Sequence, residues 1–126
     1  MSPRRTRAFS LIELLIVILI LGIVVAVALP AYLASIRDAK LKTANANARA
    51  IAAAYQSAFL KESARSYANL SDAAVATALN GWPRNPCSDE PGRDGYLIEK
   101  RTEGMTVTPR NDGNCETPIT TTLGTP

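Results

Sequence analysis

Between Leu14 and Leu29 the chain holds sixteen consecutive residues that are apolar or glycine, thirteen of them Leu, Ile or Val. Extended back to Phe9, the segment has 21 residues, roughly 31 Å as an α-helix against a hydrocarbon core of about 30 Å. At roughly −0.3 to −0.6 kcal/mol each, the thirteen aliphatic side chains favour membrane insertion by about 4–8 kcal/mol. A chain of 126 residues that spends so much on one membrane segment has room for one further small domain.

Charge sharpens this division. Three of the 14 basic residues, Arg4, Arg5 and Arg7, precede the apolar run, so the remainder balances 11 basic against 11 acidic side chains. The basic pI therefore reports the N-terminal tip and not a nucleic-acid-binding surface. The chain has no histidine, which excludes His-based acid–base chemistry and His metal sites. Lys and Arg counts on the two flanks are tied, because Arg37, Lys40 and Lys42 follow the run, so charge alone does not orient it. Two cysteines, Cys87 and Cys115, lie downstream without metal-like spacing. An even pair of this kind suits a disulfide in an oxidising compartment, which places the C-terminal part outside the cytoplasm.

Ala26-Val27-Ala28 fits the A-x-A pattern of conventional signal-peptide cleavage, but the apolar run is longer than a signal peptide needs and continues into helical sequence at Ala31-Tyr32-Leu33-Ala34. Glu13 separates the two readings. A carboxylate at this depth costs about 2.5–3.5 kcal/mol, less if it snorkels to the headgroups, and the segment carries no cation to pair with it. Such an acid looks for a partner on another molecule.

The run Arg7-Ala8-Phe9-Ser10-Leu11-Ile12-Glu13-Leu14-Leu15-Ile16-Val17-Ile18, with Gly22, Pro30 and Tyr32, resembles the N-terminus of type IV prepilins and pseudopilins over about 30 residues. The resemblance implies that a prepilin peptidase/N-methyltransferase cuts a basic leader (1–8) between Ala8 and Phe9 and methylates the Phe9 amine. The residue before the cut is usually Gly in that family, and Ala8 departs from the pattern; processing is expected, at a lower rate. The family's rule pairs Glu13 of one subunit with the Phe9 amine of its neighbour, and the two positions share a helix face at a spacing of four. Gly22 and Pro30 mark a stretch where Pro, lacking an N–H, kinks the helix or lets it unwind.

Downstream, Leu41, Ala44, Ala48, Ile51, Tyr55 and Phe59 form one apolar stripe at alternating spacings of three and four, opposite Lys42, Asn45, Arg49, Gln56 and Ser63. One long helix is expected, hydrophobic over 9–34 and amphipathic over 35–64, beneath a head formed by 65–126. Within the head, Ser71 is an N-cap, Leu70 and Val75 a hydrophobic staple and Gly81 the stop of a second helix over Ser71–Asn80. Strands are expected at Tyr96–Arg101, Met105–Thr108 and, at an edge because of Pro118, Glu116–Leu123. The expected fold is α+β, a long N-terminal helix packed on a small antiparallel sheet, matching the pilin fold. In pilins a bridge such as Cys87–Cys115 encloses an exposed C-terminal region.

No cofactor is expected. Asp89, Glu90, Asp94 and Asp112 lack the spacing of a regular calcium loop and read as solvated charge. Arg84, Arg93, Arg101 and Arg110 with Trp82 and Tyr96 are a weaker candidate for DNA contact, and the Thr117–Thr125 tail for glycosylation. No nucleophile–base pair supports an enzyme. The resemblance thus implies a structural subunit: a single-pass precursor in the inner membrane, extruded by an assembly platform and motor ATPases into an extracellular homopolymer serving adhesion, twitching motility or DNA uptake. A periplasmic pseudopilin of a secretion or competence system is the alternative, and a membrane-tethered binding module that never polymerises is the reading from another class.

Overall fold

The computed structural model describes Pro3 and residues 7–124; Arg4 and Arg5 of the expected leader and Thr125 of the tail lie outside the described residues. The first helix, α1, runs over Leu11–Lys61 and passes through Pro30 without interruption. Two compact units divide the chain, one up to Ser35 and one from Ile36 onward.

In the first unit every large apolar side chain from Phe9 to Leu33 is 47–84% exposed. The helix is long and apolar enough to cross a membrane, and its apolar window is not covered by any of the described residues. Large contiguous apolar surface is not left in water, and this segment fits membrane insertion.

The second unit is organised on the far half of α1. Ala44, Ala48, Ile51, Ala52 and Tyr55 are buried, while Leu41 and Phe59 at the ends of the expected stripe are half-buried. The helix stops three residues earlier than its pattern suggests. Ser63 adopts φ 46°, and the amides of Ser63 and Ala64 donate to the carbonyls of Leu60 and Phe59. This is a Schellman stop with Ser in the left-handed position usually given to Gly.

The short helix α2 spans Asp72–Ala78. Ser71 is its N-cap by backbone, but its side chain makes no capping bond; Leu70 and Val75 are buried as a staple places them. The stop is Asn80 (φ 55°), with the amides of Asn80 and Gly81 donating to Thr77 and Ala76. Gly81 (φ 102°) supplies the closing bond of the stop as expected, and Asn80 before it is left-handed as well.

Three strands follow, β1 (Tyr96–Lys100), β2 (Gly104–Pro109) and β3 (Thr121–Gly124), in an antiparallel sheet of order β1-β2-β3. The third strand is an edge, as Pro118 requires, but is half as long as its sequence allows. Met105, Val107 and Pro109 alternate inward along β2. Tyr96 pairs with Pro109 and Lys100 with Met105, so the same face of β1 joins the core. Gly104 pairs with Gly124, and a Cβ on Gly104 would run into the Leu123 carbonyl. The core of Ala48, Ile51, Tyr55, Tyr67, Leu70, Val75, Tyr96, Met105 and Val107 lies between α1, α2 and the sheet, closed at one end by Phe59 stacked on Tyr67 at 4.4 Å.

Candidate functional site

Arg7 to Ser10 precede the helix without regular structure and are exposed. Ser10 then starts α1. Its Oγ accepts the amide of Glu13 at 3.2 Å, and its carbonyl accepts the amide of Leu14 at 3.2 Å. Ser10-x-x-Glu13 is the capping-box pattern, a signal present in the sequence that the apolar run obscures. Glu13 thus lies in the first turn of α1, where unsatisfied amides and the helix dipole favour negative charge.

Arg7, Ala8, Phe9 and Glu13 line one shallow hollow of about 400 Å³. The Ala8–Phe9 peptide bond is therefore exposed, outside the helix, and close to the only acid of the segment. Phe9 itself is 84% exposed. Gly22 and Pro30 lie farther along α1 and are not part of this hollow; a Cβ at Gly22 would meet nothing within 4 Å. Cys87 and Cys115 form a disulfide closing 28 residues.

Two clusters in the head escaped the sequence reading. Asp72, at the first position of α2, accepts the Tyr55 hydroxyl and, at 2.9 Å, the Lys100 ammonium on Oδ1, and the Arg93 guanidinium at 2.7 Å on Oδ2. Burial opposes its ionisation, but the hydrogen bonds from Tyr55, Lys100 and Arg93 outweigh that and hold its pKa at about 2. Burial, with Asp72 beside it, pushes the Tyr55 hydroxyl well above its ordinary range. Asn85, 1% exposed, donates to the carbonyls of Gly95 (2.6 Å) and Arg110 (2.8 Å) and accepts from the Cys87 amide (2.9 Å). It ties the irregular loop before the disulfide to both ends of the β1–β2 hairpin. Apart from the Cys87 amide, two residues from Asn85, the partners lie 10 to 28 residues away, so no local pattern signals either cluster as a whole.

The weaker candidates fare differently. Asp112 accepts the Ser88 hydroxyl and the Asp89 amide, bonds that hold its carboxyl below the usual range, and no group of three potential metal-ligating side chains occurs among the described residues. Tyr96 is buried, its hydroxyl given to the Pro83 carbonyl, and Arg93 is engaged by Asp72; neither is presented for stacking on a base. Asn45, read as part of the solvent face, instead accepts the Ile119 amide at 3.0 Å and pins the segment before β3.

No curated protein and no solved structure matches the chain. Residues 3–29 match the family model of the prokaryotic N-terminal methylation motif. With its exposed apolar helix, its pilin-like α+β head and this motif, the chain carries the class III signal peptide of type IV pilins and pseudopilins.

Proposed function

We propose that this chain is the structural subunit of a type IV pilus, processed at the membrane and polymerised through the first half of α1. The observation that carries the reading is Glu13: the single acid of an otherwise apolar and wholly exposed helical segment, beside an exposed peptide bond at Ala8–Phe9. Cleavage there removes Arg4, Arg5 and Arg7, charges that hold the tip at the cytosolic interface, and creates the Phe9 amine. That amine, methylated, meets Glu13 of a neighbour, so each contact compensates two charges that are costly in an apolar core. The pairing also fixes how far one subunit is displaced from the next.

The helix is continuous at Pro30 in the isolated subunit. In the fibre, the stretch from Gly22 to Pro30 is where tension opens the helix first, because Pro30 already lacks one rung of its hydrogen-bond ladder. The precursor resides in the inner membrane, the assembly platform and motor ATPases extrude it, and the fibre carries adhesion, motility or DNA capture.

Mass spectrometry of filaments sheared from the cell tests the proposal. The expected product begins at methylated Phe9 and is the main component, and a Glu13→Ala variant is inserted and processed but nearly absent from the filaments. Processed chain found only in the envelope, with no surface filament, would instead identify a pseudopilin. An uncut chain for which Glu13→Ala behaves as wild type overturns both.

A further inference from the structure

The charges of the second unit segregate along the chain. Residues 36–65, chiefly α1, carry six basic and two acidic side chains, whereas residues 66–124 carry five basic and eight acidic. The ion pairs among the described residues are Lys42–Asp38, Arg93–Asp72, Lys100–Asp72 and Arg101–Glu99. None of them joins α1 to the sheet and loops, so the opposite excesses are not cancelled within one subunit.

Among the charges outside these pairs, one basic group and one acidic group each stand close together in sequence. Arg37 and Lys40 lie three residues apart, on one side of α1, before the first buried residue, Ala44. Asp89, Glu90 and Asp94 are exposed on the loop that follows Cys87. This loop is fixed by the disulfide, by Asn85 and by the bonds of Asp112 to Ser88 and Asp89, so ordering it adds little cost on docking. The loop also starts beside the helix, the Cys87 Sγ being 3.8 Å from the Lys40 carbonyl. Even so, no ion pair forms between them in the subunit.

We infer that Arg37 and Lys40 of one subunit dock against Asp89, Glu90 and Asp94 of a second copy of this chain. The inference rests on the filament reading and adds a head-to-head contact to the helix-mediated one. Charge complementarity selects the partner: the two patches are opposite in sign, and like patches repel. Because the patches differ, the contact is heterologous and propagates into an open array instead of closing as a dimer. Exposed pairs are individually weak and screened by salt, so two or three per contact change association about tenfold.

Charge reversal tests this in cells and on the detergent-solubilised subunit. R37E/K40E and D89K/E90K are each expected to lower the yield of sheared filaments about tenfold, with the subunit's melting temperature unchanged. The chain carrying all four substitutions restores opposite signs across the contact and is expected to recover filament yield to within about twofold of wild type. Three outcomes overturn the inference while leaving the filament reading intact: wild-type yield from both double variants, no recovery in the fourfold variant, or a lowered melting temperature that recovers in the fourfold variant. The second outcome assigns Arg37 and Lys40 to lipid headgroups, and the third places the pairing within one subunit. Absence of filaments from wild-type cells, with Glu13→Ala having no effect, overturns both readings.

Discussion

Replacing Asp72 by Asn is expected to destabilise the head by about 1.5–2 kcal/mol at neutral pH and to flatten its acid sensitivity. The wild-type carboxylate is held at a pKa of about 2 against an ordinary value of 3.8, burial being outweighed by the bonds from Tyr55, Lys100 and Arg93. At about 1.4 kcal/mol per pH unit this corresponds to roughly 2.5 kcal/mol. The side chain is 32% exposed, and solvent screening reduces the figure to about 1.5–2 kcal/mol. Because the folded-state value lies below the unfolded one, the contribution is complete above about pH 4 and disappears as the pH falls towards 2. For a head of this size each kcal/mol moves the melting temperature by about 4–8 °C, so the variant is expected to melt about 6–16 °C lower at pH 7. Thermal unfolding followed by circular dichroism, at pH 7 and in steps from pH 5 to 2, measures both effects. A variant melting within about 2 °C of wild type at pH 7, or one that keeps the wild-type loss of stability in acid, refutes the assignment of Asp72 as the head's electrostatic centre.

Three further substitutions probe other joints. Asn85→Ala removes three hydrogen bonds from a buried site and is expected to cost about 3 kcal/mol in denaturant unfolding; an unchanged midpoint would show that water replaces the amide there. Cys87→Ser opens a closure of 28 residues, worth about 3–4 kcal/mol on chain-entropy grounds, and should match wild type treated with reductant. Ser10→Ala removes the side-chain acceptor of the Glu13 amide and should cost about 1 kcal/mol locally, read as roughly fivefold faster hydrogen exchange at Glu13 in micelles; unchanged exchange would show that the hydroxyl does not cap the helix.

Periodicity made the long helix and the inward stripe legible, because burial on one face imposes a 3.6-residue repeat whatever packs against it. The β1–β2 hairpin was legible for the same reason at period two. Element ends were less so. Ser63 and Asn80 are left-handed at the ends of their helices, Asn80 in addition to the expected Gly81, since the hydrogen-bonded stop is set by backbone geometry, which tolerates several residue types. The third strand was overestimated because threonines favour strand throughout Glu116–Leu123, whereas only Thr121–Gly124 finds a partner strand. Asp72 gave no sign of being the hub of Tyr55, Arg93 and Lys100, which only the folded chain brings together. Asn85 carried no signal at all: a buried amide between two prolines looks like any turn residue until its acceptors are in place.

The capping box bears directly on what Glu13 is for. A carboxylate in the first turn of a helix gains about 0.3–1 kcal/mol from the dipole and the free amides, whereas an acid in the bilayer costs up to about 2.5–3.5 kcal/mol at the helix centre and less towards the headgroups. Local capping therefore offsets only part of the cost once the first turn leaves the headgroups, and any neutral N3 residue would avoid that cost altogether. Gln at this position would keep the backbone amide that Ser10 caps and remove the charge. The charge, not the cap, is what needs an explanation from outside the subunit. On the proposed reading processing supplies it, since release of the leader puts a cation at Phe9 in every copy. One helix start then carries one positive and one negative group, and stacking copies with a constant offset pairs each with its counterpart on a neighbour. The Ser10 cap acts earlier in this sequence: it holds Glu13 in an ordered first turn while the carboxylate still lacks that partner.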